Sequence, residues 1–76
     1  MTDEEMTNLY GIAASKAEHA RGDRVRYTDP EFPKATGVIV WISAPTKTRP
    51  MQYIVKTEHR SGMLDFIAPG DVIEVL

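Results

Sequence analysis

Five consecutive apolar residues, Val38 to Ile42, lie inside the stretch Thr36 to Ser43 (TGVIVWIS), and a chain of 76 residues has little room to leave such a run half solvated. Continuous rather than alternating hydrophobicity over a length this short marks a strand covered on both faces. The stretch is therefore expected to be the central strand of a sheet. A domain near this size buries only about 60% of the surface its unfolded chain exposes. With no cysteine, neither a disulfide nor a thiolate metal site is present to staple it. Stability must come from strand pairing, from a packed helix or from a partner subunit, so self-association is an expectation from the start.

Ahead of the central run, Thr2 and Glu5 have capping-box spacing. Met6, Leu9, Tyr10, Ala13, Ala17 and Ala20 then recur every three or four residues, and Gly22 follows Arg21 as a stop. This pattern predicts an amphipathic helix over residues 1–21, with a narrow, alanine-rich face that lies against the sheet or a neighbouring subunit. Arg24-Val25-Arg26-Tyr27-Thr28 alternates strictly and predicts a strand with Val25 and Tyr27 on one face and both arginines on the other. Two prolines in Asp29 to Lys34 force an excursion from the sheet, and Gly37 is expected to permit a bulge or bend in the central strand.

Met51 to Thr57, Met63 to Ile67 and Val72 to Leu76 read as three further strands. They are joined by a hairpin loop at Glu58 to Gly62 and a single tight or 3₁₀ turn at Ala68 to Asp71. Five short strands, a long first loop, ordinary hairpins and a compact turn before the last strand are the arrangement of a small SH3-like barrel. The expected architecture is thus mainly β, with an N-terminal helix (1–21) and a barrel (22–76).

The formal charge of -2 gives no strong electrostatic reason to expect nucleic acid or an anionic membrane. Arg24, Arg26, Lys47, Arg49, Lys56 and Arg60 form at most a diffuse basic face, which leaves nucleic-acid binding in the manner of KOW domains as a third reading. No apolar run approaches the roughly 18 residues of a membrane span, and the acidic N-terminus is unlike a leader, so a cytoplasmic protein is expected.

His19 and His59 have no ligating residue at metal-site spacing, and their expected role is solvated surface, with no metal. Ser15, Ser43 and Ser61 lack a nucleophile-elbow pattern, and no phosphate-binding glycine loop occurs, so no catalytic residue is assigned. Phe32, stranded between prolines, is the expected exposed anchor for a partner. Asp65 is the one charge in an apolar strand. Alternation puts it in water with Leu64 and Phe66 facing the core, or else in a groove or interface where it needs a partner such as Arg24 or Arg26.

Gly22-Asp23-Arg24-Val25-Arg26, Gly37-Val38-Ile39-Val40 with Trp41 nearby, Pro50, Tyr53, Val55, Glu58, Gly62, Pro69 and Glu74 together resemble the plasmid-borne type II dihydrofolate reductases over about residues 22–76. That resemblance implies a homotetramer of SH3-like barrels around a pore that binds NADPH and dihydrofolate. Its pore-equivalent positions here are Tyr27, Leu64, Asp65, Phe66 and Ile67, where the family has a lysine and a Val-Gln-Ile-Tyr segment. A carboxylate at Asp65, repeated by symmetry, would repel the cofactor's phosphates. The opening stretch and Val-Ile-Glu-Val-Leu are also similar to photosystem accessory subunits and KOW-type domains, which are binding modules.

The first expectation is accordingly a non-enzymatic, cofactor-free SH3-like module that binds a protein partner or itself. It would act as an accessory subunit or as a mobile-element-borne binder of a host complex, through Phe32, Asp65, Phe66, Arg24 and Arg26. The alternative is a divergent NADPH-dependent reductase.

Overall fold

A computed structural model describes residues 2–76. One helix, α1 (Asp3–Tyr10), precedes five strands: β1 (Arg24–Tyr27), β2 (Ala35–Ser43), β3 (Gln52–Thr57), β4 (Leu64–Ile67) and β5 (Val72–Val75). A 3₁₀ turn at Pro69–Asp71 leads into β5. The strands form one antiparallel sheet in the order β4-β3-β2-β1-β5, so the apolar run at 38–42 does occupy the central strand. Among the described residues no helix is long and apolar enough to cross a membrane.

Two clusters of side chains, one on each face of the sheet, hold it together. Val25, Tyr27, Ala35, Ile39, Ile42, Tyr53, Val55 and Ile67 fill the inner one. Met6 of α1 packs with Trp41 and Ile54 on the outer side, where Tyr10, Val40 and Leu64 flank them. Trp41 reaches this second cluster because the β2–β3 register shifts between Ile39, paired with Val55, and Trp41, paired with Ile54. Two steps along β2 there oppose one along β3, which is the count of a β-bulge, and the parity of the strand inverts. Ile39 and Ile42 consequently face inward while Trp41 faces α1.

The bulge lies three residues beyond Gly37, where it was expected. Gly37 has a different cause: a Cβ built there would lie 2.6 Å from the Lys56 carbonyl oxygen and would also meet Val55 Cγ1. β2 and β3 approach too closely at that point for any side chain. Gly37→Ala is expected to lower stability by about 1–3 kcal/mol, the usual cost of overpacking, seen as a lower urea midpoint with an unchanged slope. An unchanged midpoint would show that β3 yields at no cost.

The N-terminal helix is eight residues long, not the span 1–21 expected, of which Met1 lies outside the described residues. Its start matches the capping box: Glu5 N–H donates to Thr2 Oγ1 at 3.2 Å, and Thr2 N–H donates to Glu5 Oε1 at 3.4 Å. Its end comes at Gly11, which adopts φ 97° and donates its N–H to the Thr7 carbonyl at 2.9 Å. The alanine-rich stretch beyond it is irregular and lies along β2, since β1 pairs only with Ala35 to Val38 and leaves that edge of the second half of β2 without a strand; Ala13 forms an isolated bridge with Ser43 there.

Buried backbone groups need partners, and the alanine segment supplies them. Ala14 N–H donates to the Ile42 carbonyl (2.8 Å), Ala44 N–H to Ile12 (2.7 Å), Gly22 N–H to Ile39 (2.7 Å) and Ile39 N–H to Asp23 (2.9 Å). The Trp41 indole N–H donates to the Gly11 carbonyl at 3.0 Å, and the Ser43 hydroxyl donates to the Tyr10 carbonyl at 2.7 Å.

Candidate cleft between the first loop and the third hairpin

Consecutive antiparallel strands bring the β1–β2 loop and the β3–β4 hairpin to the same end of the sheet. Gly37 opposes Thr57, and Glu58 N–H donates to the Thr36 carbonyl at 2.9 Å. The Asp29–Lys34 excursion therefore stands beside Glu58 to Gly62. Between them opens a cleft of about 320 Å³, lined by Tyr27, Asp29, Glu31, Arg60, Asp65 and Phe66 among others.

Asp65 lines it: the structure corrects the placement in open water and keeps the placement in a groove, with a different partner. The register pairs Val55 with Asp65 and Tyr53 with Ile67, which puts Asp65 and Ile67 on the inner face. Phe66 is 51% exposed, and Leu64 packs against the α1 cluster on the opposite face. Asp65 is neither in open water nor bound to Arg24 or Arg26. Its partner is Tyr27, whose hydroxyl donates to Asp65 Oδ2 at 2.8 Å. Strand β1 is separated from β4 by two others in the sheet order, so this bond spans the inner face of a strongly curled sheet. Burial pushes the Tyr27 phenol far above its ordinary range, and the hydrogen bond to Asp65 and the charges of Asp65 and Asp29 act in the same direction.

Phe32 is 40% exposed on the first loop, its ring centroid 4.5 Å from that of His59 and 5.3 Å from the Arg60 guanidinium carbon. Arg60 in turn pairs with Glu31 at 2.6 Å. Arg24 and Arg26 are not part of this constellation. They project from the other face of β1, where Arg24 pairs with Glu58 at 2.8 Å and Arg26 with Glu74 at 3.2 Å. Exposed pairs of this kind contribute at most about 1 kcal/mol each. The pore-equivalent set likewise divides: Tyr27, Asp65 and Ile67 face inward, whereas Leu64 and Phe66 face outward.

His59, expected on the solvated surface, is largely enclosed, with its side chain 13% exposed and that of Asp29 7% exposed. Asp29 Oδ1 accepts the Glu31 N–H at 2.8 Å, and this bond holds the carboxyl below its usual range. Asp29, His59 and Asp65 each direct one ligand atom into a common space, all within 4.8 Å of one another. Residues without ligand spacing in sequence thus stand together in the fold, which removes the ground on which a metal site was set aside. Among the described residues these three are the group placed to hold a cation.

A second groove, about 810 Å³, runs along the outer face beside α1 between Met6, Arg21, Val38, Val40, Lys56 and Leu64. The Arg21 guanidinium carbon, on the lining of this groove, lies 4.7 Å from the Trp41 ring centroid, and its Nη2 lies 3.2 Å from Asp3 Oδ1.

Comparisons of the chain with protein-family models, with curated proteins and with solved structures return no match.

Proposed function

We propose that the curled sheet is an SH3-like barrel and that the protein is a non-enzymatic binding module working through protein–protein association. The sheet order and the Tyr27–Asp65 bond across the inner face support the barrel. The binding role is carried by one observation. Two aromatic side chains, Phe32 at 40% and Phe66 at 51% exposure, stand beside a cleft large enough for one or two partner side chains. Exposed aromatics held by a rigid scaffold are where association energy concentrates. Phe32 is fixed by His59 and Arg60, and Phe66 by the Tyr10 ring at 5.5 Å, so little conformational entropy is left to lose on binding.

Site-specific photo-crosslinking in cells tests this. A photoreactive phenylalanine analogue at position 32 or 66 is expected to give the same discrete adduct, absent when it replaces Thr48 in the exposed turn after β2. No adduct, or an equal ladder from all three positions, would overturn the cleft as a binding surface. Oxidation of NADPH in the presence of dihydrofolate is expected to stay at background, since Asp65 brings a carboxylate where a reductase would need to accept phosphate; turnover would overturn the non-enzymatic role.

A further inference from the structure

The association surface leaves the chemistry at the floor of the cleft unexplained. Asp29 comes from the first loop, His59 from the hairpin and Asp65 from β4, yet their ligand atoms share one space. Both ring nitrogens of His59 have under 1 Å² of exposed surface, and neither has a hydrogen-bond partner. Buried imidazole nitrogens are ordinarily satisfied. Nε2 lies 3.4 Å from Asp29 Oδ2. That separation is too long for a good hydrogen bond, which falls at 2.7–3.2 Å. For this pair it is close to the edge, about 3.3 Å, of a tetrahedron whose corners lie 2.0–2.1 Å from a zinc ion, and the Asp65 atom completes a set within 4.8 Å that an ion would draw together.

Each carboxylate is also held from outside. The Tyr27 hydroxyl fixes Asp65, and the Glu31 N–H fixes Asp29 through Oδ1, leaving Oδ2 directed at His59. Metal-binding carboxylates typically have such outer donors. Two carboxylates converging on one imidazole also place concentrated negative charge where a cation offsets it.

We propose that Asp29, His59 and Asp65 form a binding site for one divalent transition-metal cation, with zinc the best fit. One imidazole nitrogen and two carboxylate oxygens hold the ion, and the fourth position faces the cleft. The imidazole selects against magnesium and calcium, which take oxygen ligands in larger number. The cleft provides the entry path. The site stands on its own donors and does not depend on which partner, if any, the rim engages.

Titration calorimetry on the metal-stripped full chain with zinc chloride alone is expected to show one equivalent bound per chain, with magnesium and calcium giving no comparable heat. H59Q should abolish binding. Y27F, which removes only the outer donor to Asp65, should weaken it about tenfold, the lower end for outer-shell changes. H19Q, which alters the other histidine, should leave it unchanged. Absence of stoichiometric zinc binding by the wild-type chain would overturn the site, as would binding that survives H59Q but is lost in H19Q. Should H59Q fail to fold, nitrogen-15 spectra of the two wild-type histidines decide: zinc must shift the His59 ring signals and spare those of His19.

Discussion

Replacing Trp41 with alanine is expected to remove a large part of the protein's stability. The side chain is 2% exposed, packs between Met6 and Ile54, lies under the Arg21 guanidinium and donates its indole N–H to the Gly11 carbonyl. Truncation of a buried tryptophan costs about 3–5 kcal/mol. A domain of 76 residues has about 4–11 kcal/mol in total at the usual stability per residue. The loss extends beyond a cavity, because Trp41 fastens both α1 and the Gly11 turn to the sheet. Met6 then loses its buried neighbour on β2, and the segment from Ile12 to Ala14 loses one of the contacts that hold it along the free edge. Urea unfolding followed by far-ultraviolet circular dichroism is the measurement, since Trp41 is the only tryptophan. Trp41→Phe, which keeps most of the apolar area but not the N–H, is expected to fall between the two. A loss below about 1 kcal/mol for Trp41→Ala, the range of ordinary surface changes, would mean that α1 is not part of the cooperative unit.

Trp41 also shows what was legible in the sequence and what was not. That 38–42 is central followed from five apolar residues that had to be covered on both sides, and the five strands followed from alternation and turn residues. Which face Trp41 takes did not follow, because a single register shift between Ile39 and Trp41 inverts the parity, and one unpaired residue leaves no mark in the hydrophobic pattern. The helix was read too long for a related reason. Ala13, Ala17 and Ala20 have helical spacing, but alanine carries too little apolar surface to enforce it, and hydrogen bonds to the uncovered edge of β2 took the segment instead.

The candidate cleft was half legible. Phe32 was singled out, yet Asp29 and His59 were not, being thirty residues apart with no ligand spacing. Strand order alone would have placed them together, since the first loop and the β3–β4 hairpin of a meander end on the same side. Assigning the charge to water puts Asp65 on the wrong face, whereas the groove that was the other expectation is where it stands, with Tyr27 in place of Arg24 or Arg26. A phenol from β1 that meets it across the curled sheet is a long-range contact, and local alternation does not report one.

That phenol is expected to make the fold sensitive to alkaline pH. Tyr27 is 1% exposed, and its hydroxyl donates to Asp65, so ionisation in the folded state would put two negative charges against each other in a largely buried place. Its folded pKa is raised above the unfolded value, first by burial and then by Asp65. With that sign, the contribution is fully present below about pH 10, where an unfolded phenol is protonated, and is lost as pH rises beyond it. Above that pH the unfolded chain binds one proton fewer than the folded one, and stability falls by up to about 1.4 kcal/mol per pH unit from this group alone. Tyr27→Phe separates it from lysines and the other tyrosines. At neutral pH the variant should be less stable by about 1.5–3 kcal/mol, the worth of a hydrogen bond to a charged acceptor. The wild-type advantage should then shrink through alkaline pH until the two urea midpoints meet or cross, while phenolate absorbance shows one wild-type tyrosine ionising only as the chain unfolds. Parallel midpoints across the whole alkaline range would mean that Tyr27 ionises in place and that its bond to Asp65 does not hold the inner face together.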